Sequence, residues 1–591
     1  MSEIETLVEL FETSCRTRGQ APLFGIKVND EFNWISYESV HKRVAQIRLV
    51  LRELGIVRGD RVALIADNSV DWAAICYATA GCGAVTVPMY TAQIPADWQY
   101  ILNDCAAKVA FFDSEKVAAP FAKIRPKLPN LVHAITIDGN GQDKTSLPGL
   151  LNDLNGRTVE CERPAASDPA GLIYTSGTTG QPKGVVLTHG NIVSNVLSSA
   201  STFPLYSTDR SLSFLPWAHA LGQTVDLHLL LHVGCQIGLN GDLSGLLSNL
   251  MIVKPTIIIA VPRVFYRIYE GVKRQISERP PLIRTLFSKG IAAATKKSQG
   301  MPLGIADNLW LAAAERLIFR RVRQRFGGRL RFAISGSAAL NRDVAEFVNA
   351  LGIDVYEGYG LSEASPVVCV NTPQHRRFGT VGKPIPGVTV SIDHSVTNDP
   401  SVGEIIVSGP NVMQGYFRAP EDTARVLTPD RQLRTGDMGR LDDDGYLIIT
   451  GRIKEQYKLQ NGKYVVPTPI EEQIKLSPLI TNCMLYGADK PYCILMVVPN
   501  ASAVESEAKT RGFEYSSIED DPRVHALLKQ EVSARSRDLH SYMRPKKLLI
   551  LAEDFTVNNG FLTPSLKVRR QEVIQKYMGR LAKMYDEPHP E

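Results

Sequence analysis

The stretch Tyr174–Gly184, YTSGTTGQPKG, governs how the rest of this chain is read. Gly171, Leu172 and Ile173 before it read as the end of a buried strand, so its Ser, Thr and Gly cluster falls where a strand leaves an α/β sheet, a usual seat of nucleotides. Gly177, Gly180 and Gly184 let the backbone turn tightly and bring N–H groups close to an anion. Thr175, Ser176, Thr178 and Thr179 add hydroxyl donors, and Lys183 adds a mobile positive charge. Runs of Gly and Ser are more often flexible surface turns. This run is not a P-loop, because no Gly-Lys-Ser/Thr closes it, and it lacks the spacing GxGxxG.

At 591 residues the chain is too long for one compact core, so at least two domains are expected. The 44% hydrophobic share is that of a soluble globular protein, and no apolar run approaches the roughly 18 residues that cross a bilayer. The N-terminus, MSEIETLVEL, is acidic and is not a secretory signal. Nine cysteines include no CxxC pair and no Cys/His cluster with metal spacing. Several, such as Cys76, Cys82 and Cys369, lie in apolar surroundings and read as buried thiols in a reducing, cytoplasmic compartment. A net charge of +5 is modest, and no aromatic-interleaved basic face suggests a nucleic-acid partner. One local bias stands out. Residues 263–297 carry eight or more Lys and Arg interleaved with Phe265, Tyr269, Leu282, Ile283, Leu286 and Phe287. Two readings stay open, a solvated helical hairpin broken at Pro280-Pro281 or a peripheral membrane contact.

Short apolar runs alternate with helical patterns through the first two-thirds, which argues for α/β layers. Arg61–Ala66 reads as a strand, Asn68 as the cap of a helix through Ala78, and Val85–Val87 as the returning strand. Val109–Phe112, Ser211–Leu215, Thr256–Val261 and Leu330–Ser335 read as further strands. After about Gly379 the texture turns to Gly- and Pro-rich short strands, with Asp444-Gly445 as a hairpin turn, so a β-barrel-like subdomain is expected over 379–451. Beyond Arg452 comes a smaller α+β pattern. The expected fold is α/β: a large N-terminal domain over 1–451, then a mobile C-terminal domain over 452–591 with its hinge near Lys454. No internal repeat is evident.

The string YTSGTTGQPKG resembles the phosphate loop of the adenylate-forming enzymes, the AMP-binding superfamily of acyl-CoA synthetases, luciferases and peptide-synthetase adenylation domains. Further motifs follow in that superfamily's order. Tyr356–Glu363, YEGYGLSE, supplies Glu357, Gly358, Tyr359, Gly360 and Ser362 around the nucleotide; Tyr359 resembles the adenine-stacking aromatic, and Glu363 the acid that holds Mg²⁺ with Thr179. Gly336, Ser337 and Ala338 resemble the other wall of the adenine pocket. In LRTGDMG, Asp437 follows a tight turn and suits the ribose hydroxyls. In GRIKEQYKLQNGKYVVP, Arg452 resembles the ribose or phosphate contact, Lys454 the hinge residue, and Gly462 part of the pantetheine passage, where a side chain would obstruct a narrow tunnel. His219 of LPWAH resembles the histidine that gates the carboxylate. Lys567 of GFLTPSLKVRR resembles the mobile lysine that reaches the carboxylate and α-phosphate.

The resemblance covers nearly the whole chain and is nearest to the long-chain fatty acyl-CoA synthetases. One departure bears on the acyl tunnel: His219 is followed by Ala220, Leu221 and Gly222, where long-chain members often have an acidic residue. The resemblance implies fatty acid, ATP and CoA as substrates, Mg²⁺ as the metal, and acyl-AMP formation followed by transfer to CoA. A ligase that stops at acyl-AMP, one that serves a carrier protein, and an inactive acyl-nucleotide sensor are the alternatives. The oligomeric state stays open, a homodimer included.

Overall fold

The structure, a computed structural model, describes residues 4–154, 157, 159–175, 181–241, 245–397, 399–563 and 567–586. The chain divides into two compact units, Met1–Ser391 with Ile406–Thr435 and Leu441–Ile448, and Ile392–Ile405 with Gly436–Arg440 and Ile449–Glu591.

In the first unit, a seven-stranded sheet runs in the order Gly415–Tyr416, Lys183–Thr188, Pro169–Thr175, Val85–Met89, Arg61–Ile65, Val109–Phe112, His133–Thr136. Its last five strands pair in parallel. Parallel strands are covered on both faces and so read as unbroken apolar runs; RVALI and VAFF are of this kind. Ala63, Ile65, Val87 and Phe112 pack on one side with Trp98 and Ile101. The helix after Arg61–Ile65 spans Val70–Gly81, and Ser69 rather than Asn68 caps it, accepting the Trp72 N–H at 3.0 Å. Asn68 instead binds the Leu215 carbonyl at 2.7 Å and the Trp217 N–H at 2.8 Å, holding the turn that carries His219.

A second sheet has the order Ile257–Ala260, Phe332–Ser335, Asp354–Gly360, Val367–Val370, Lys383–Pro384, parallel over its first three strands. A third joins Glu31–Ser36, Pro22–Val28, Gln236–Leu239 and Arg210–Ser213. The basic segment forms the expected helices, Pro262–Ser277 and Pro281–Ser298. Its aromatic residues do not face outward, however. Phe265, Tyr269, Leu286 and Phe287 are buried, and only Leu282 among the large apolar residues named there is well exposed, at 74%. An amphipathic helix on a globular protein turns its apolar stripe to the core by default.

Thr389–Asp393, Gly403–Ser408, Leu433–Leu441 and Leu447–Arg452 form a four-stranded sheet in that order, and the division between the units runs through these strands. The expected barrel-like subdomain is accounted for by this sheet, and no pairing among the described residues closes it. Gly445, at a φ of 81°, makes the expected hairpin turn.

The second unit is built on the strands Ile480–Tyr486, Ile494–Pro499 and Lys547–Ile550. Period-two alternation sorts their side chains. Cys483, Leu485, Leu495, Val497, Leu548 and Ile550 enter one core, while Met484, Ile494, Met496, Val498 and Leu549 enter another, completed by Val573, Tyr577 and Leu581 of the helix Arg570–Asp586. Among the described residues no helix is long and apolar enough to cross a membrane.

Candidate active site

The first-unit candidates lie at or near strand ends, and several are linked through side-chain contacts. Pro169–Thr175 and Lys183–Thr188 are antiparallel, with Thr175 opposite Lys183, so the glycine-rich segment links two paired strands. Ser176, Gly177, Thr178, Thr179 and Gly180 lie outside the described residues. At the base of this hairpin, Lys183 Nζ pairs with Asp422 at 2.8 Å and sits 5.4 Å from the Tyr416 ring centroid. Tyr416 in turn donates its hydroxyl to Glu363 Oε1 at 2.9 Å. The phosphate-loop lysine and the expected metal ligand therefore flank one phenol. Burial, with the Glu363 charge beside it, pushes that phenol far above its ordinary range.

Glu363 follows directly on the strand Asp354–Gly360, whose Ser335↔Glu357 register sets the two expected adenine walls side by side. The Glu357 carboxyl closes the other wall by accepting the Leu340 N–H at 3.1 Å, which fixes the segment after Gly336, Ser337 and Ala338. Gly360 has no room for a side chain, since a Cβ would stand 2.0 Å from the Pro366 carbonyl oxygen. The close approach this glycine permits is to the protein's own backbone. A Cβ on Gly336 would touch Leu221 Cδ2 at 3.0 Å, and the Leu221 N–H donates to His219 Nδ1 at 3.2 Å. His219 accordingly joins the same constellation.

The remaining candidates belong to the second unit. Asp437 is nearly buried and accepts from Arg452 Nε at 2.8 Å. It does not follow a tight turn: Leu433–Leu441 is one nine-residue strand, into which Gly436 fits with a φ of 71°. Lys454 lies in a single turn after the strand Leu447–Arg452, closed by the Gln456 N–H on the Arg452 carbonyl at 3.1 Å. Gly462 sits in the hairpin between Tyr457–Lys458 and Tyr464–Val465 with a φ of 83°, and a Cβ there would meet only Lys458 Cε at 3.9 Å. Within this unit the glycine answers a left-handed backbone rather than a crowded passage. Lys567 is exposed on a loop closed by the Thr563 N–H on its carbonyl at 2.8 Å.

Sequence reasoning missed Tyr416, Asp422 and the Leu340 amide. Nothing in GYF or PED marks the first two, because their roles arise from pairing across more than fifty residues of chain, and the Leu340 amide is a backbone group that no side-chain motif marks. Glu357 gives a test of the geometry. Burial pushes its carboxyl from 4.5 up to about 8, against the lowering effect of the Leu340 N–H. The folded chain holds this proton while the unfolded chain releases it, so the contribution of Glu357 is complete below the unfolded value and is lost as pH rises through about 8. Glu357→Gln cannot ionise. Its stability relative to the parent should rise between these two pH values, on the order of a few kcal/mol by linkage, as read by urea unfolding across that range.

The AMP-binding enzyme profile matches residues 11–417. The chain belongs to the AMP-binding enzyme family. The family's C-terminal domain profile matches residues 454–589 of this AMP-binding enzyme. A long-chain-fatty-acid–CoA ligase of Mycobacterium bovis, FadD15, is 32% identical over 557 residues, covering 92% of this chain and 90% of the relative. Long-chain-fatty-acid–CoA ligase 1 of Homo sapiens is 30% identical over 620 residues, covering 99% and 87%. Among solved structures, the adenylation domain of a carboxylate reductase from Mycobacterium chelonae superposes with a TM-score of 0.82 at 22% identity, covering 99% of this chain and 92% of that one; this likeness bears on the α/β fold.

Proposed function

We propose that this AMP-binding enzyme is an ATP-dependent long-chain fatty acid–CoA ligase. A carboxylate oxygen attacks the α-phosphorus of ATP, forming acyl-AMP and expelling pyrophosphate. The thiol of CoA then attacks the acyl carbonyl, loses its proton and expels AMP. The observation that carries this reading is the gathering of the candidates at neighbouring strand ends: Lys183 lies beside the Tyr416 ring, Tyr416 donates to Glu363, Glu357 lies opposite Ser335 in the same sheet, and Leu221, against Gly336, donates its N–H to His219. The attacking carboxylate is already a nucleophile, so the protein's work is alignment and charge neutralisation.

In this reading Thr175 to Lys183 holds pyrophosphate, with Tyr359 and the 336–338 wall on the adenine. Asp437 with Arg452 takes the ribose, His219 stands at the carboxylate, and Lys567 supplies charge during adenylation. The small domain turns about Lys454 between half-reactions, bringing the region of Gly462 to the pantetheine. Among the described residues no cluster of three or more His, Cys, Asp or Glu could hold a metal. A lone carboxylate such as Glu363, with Thr179, suits Mg²⁺ held mainly by phosphate oxygens. When bound, the ion shields phosphate charge.

For the acyl chain, we place the tail against an apolar crevice lined by Ala333, whose strand leads to Gly336, and by Ile258, Phe214, Val264, Phe265 and Ile268. It holds about 10 Å³, near the room of one water, so a tail entering there displaces side chains. Ala333→Leu should depress turnover of long fatty acids about tenfold or more relative to short ones, the scale of a single methylene refused, while the KM for ATP stays unchanged. Acyl-CoA formation across a chain-length series checks this. Uniform loss at every length would refute the tail placement, and an enzyme without ATP–pyrophosphate exchange would refute the whole reading.

We further propose a peripheral membrane contact, on the helix after the basic pair. Ile305–Ala314 is apolar but for Asp307 and Asn308, yet Ile305 is 84% and Leu309 68% exposed, with Trp310 and Leu317 also outward. Around it Asp307 pairs with Lys296 and Glu315 with Arg323, whereas Arg284, Lys289, Lys297, Arg316, Arg320 and Arg321 have no ion pair among the described residues. An apolar face with surplus cations fits an anionic lipid surface. The protein should float with phosphatidylcholine vesicles containing a third phosphatidylglycerol, and Ile305→Glu/Leu309→Glu should abolish flotation. Equal flotation of both proteins would exclude this face.

A further inference from the structure

Lys567 lies three residues before the helix Arg570–Asp586, and the first residue of that helix makes an ion pair deep in the second unit. Arg570 Nη1 and Nη2 donate to Glu471 Oε1 and Oε2 at 2.7 and 2.6 Å, two parallel bonds that set orientation as well as distance. Glu471, on the helix Pro467–Ile474, is 3% exposed, and its Oε1 also accepts the Leu485 N–H at 2.6 Å from the strand Ile480–Tyr486. Burial alone would lower the Arg570 pKa; the Glu471 charge and its hydrogen bonds outweigh this, and the guanidinium stays firmly charged.

Between this pair and Lys567 the chain has little slack. Val568 bridges Leu562, and the Arg569 N–H donates to the Phe561 carbonyl at 2.8 Å. The Lys567 N–H donates to Thr563 Oγ1 at 3.1 Å. The same pair also reaches the hinge turn. Arg570 Nη2 lies 3.4 Å from Thr468 Oγ1, which donates to Glu455 Oε2 at 2.7 Å, next to Lys454. A buried ion pair is weak evidence for stability, since well-packed apolar side chains serve as well, whereas its geometry is specific.

We infer that Glu471 and Arg570 are positioning residues for Lys567, a clamp that holds the lysine loop in fixed relation to the hinge turn so that both move as one piece. The inference rests on the adenylation role proposed for Lys567. Arg570→Lys keeps the charge and loses the fork; Glu471→Gln keeps the shape and loses the charge.

Both half-reactions are measured on the full chain: ATP–pyrophosphate exchange, and acyl-CoA formation from supplied acyl-AMP. Arg570→Lys and Glu471→Gln should each slow exchange about tenfold or more, the scale of a lost near-attack alignment, and leave acyl-AMP turnover near the parent rate. Arg570→Lys added to Lys567→Ala should slow exchange no further. The clamp is overturned if the two defects multiply, if both half-reactions fall together, or if both clamp variants exchange normally. Should Arg570→Lys not fold, Glu471→Gln with Lys567→Ala makes the same comparison. Normal exchange by Lys567→Ala alone would instead remove the role on which the clamp rests, a distinguishable failure.

Discussion

Lys567→Ala should lose at least about a hundredfold in ATP–pyrophosphate exchange, the scale of removing one preorganised charge donor from a phosphoryl site, while converting supplied acyl-AMP to acyl-CoA at nearly the parent rate. Lys567 is exposed, and its backbone N–H and carbonyl are held by Thr563, contacts that alanine keeps. Folding stability should therefore hardly change, and surface substitutions of this kind usually stay within about 0.5 kcal/mol. The split between half-reactions is the informative quantity. An equal fall in both would mean that Lys567 does not act in adenylation alone.

Glu363→Gln should cost a similar factor, about 10² to 10³ in exchange, without unfolding the site. Glutamine keeps an oxygen for the Tyr416 hydroxyl, which Glu363 Oε1 now accepts at 2.9 Å, so the shape survives while the negative charge goes. Tyr416→Phe makes the complementary change. It removes a single hydrogen bond worth about 1 kcal/mol and should slow exchange tenfold or less. If Tyr416→Phe proved the more damaging, Glu363 would be serving as an anchor for the phenol rather than as a ligand to the metal. Exchange assays over a Mg²⁺ titration, with melting temperatures alongside, separate the two.

Much of the fold was legible because its strands are short, apolar and bounded by Gly, Pro or Ser. RVALI, VAFF and the Ile257–Ala260 run announce buried parallel strands, and Pro280-Pro281 announces the break between two helices. Orientation was less legible. The aromatic residues of the basic helix pair could have faced lipid or core, and only the packing decides that Phe265 and Phe287 go inward. The same holds for Asp437, where TGD reads as a turn but lies within a strand, because sheet pairing overrides local glycine preference. The chemical motifs were visible as local strings. Their partners, Tyr416 for Glu363 and Asp422 for Lys183, come from remote segments with no composition of their own.

The Lys183–Asp422 pair has a consequence for selectivity. Asp422 also accepts from Arg425 at 3.0 Å, so it keeps a cationic neighbour when Lys183 leaves. In the resting pair the Lys183 ammonium already holds a carboxylate counter-ion. An incoming anion has to displace a resident counter-ion, which a polyanion with several charges does readily and a stray monovalent ion does poorly. On the phosphate role proposed for Lys183, Asp422 would be the placeholder that the incoming polyanion displaces.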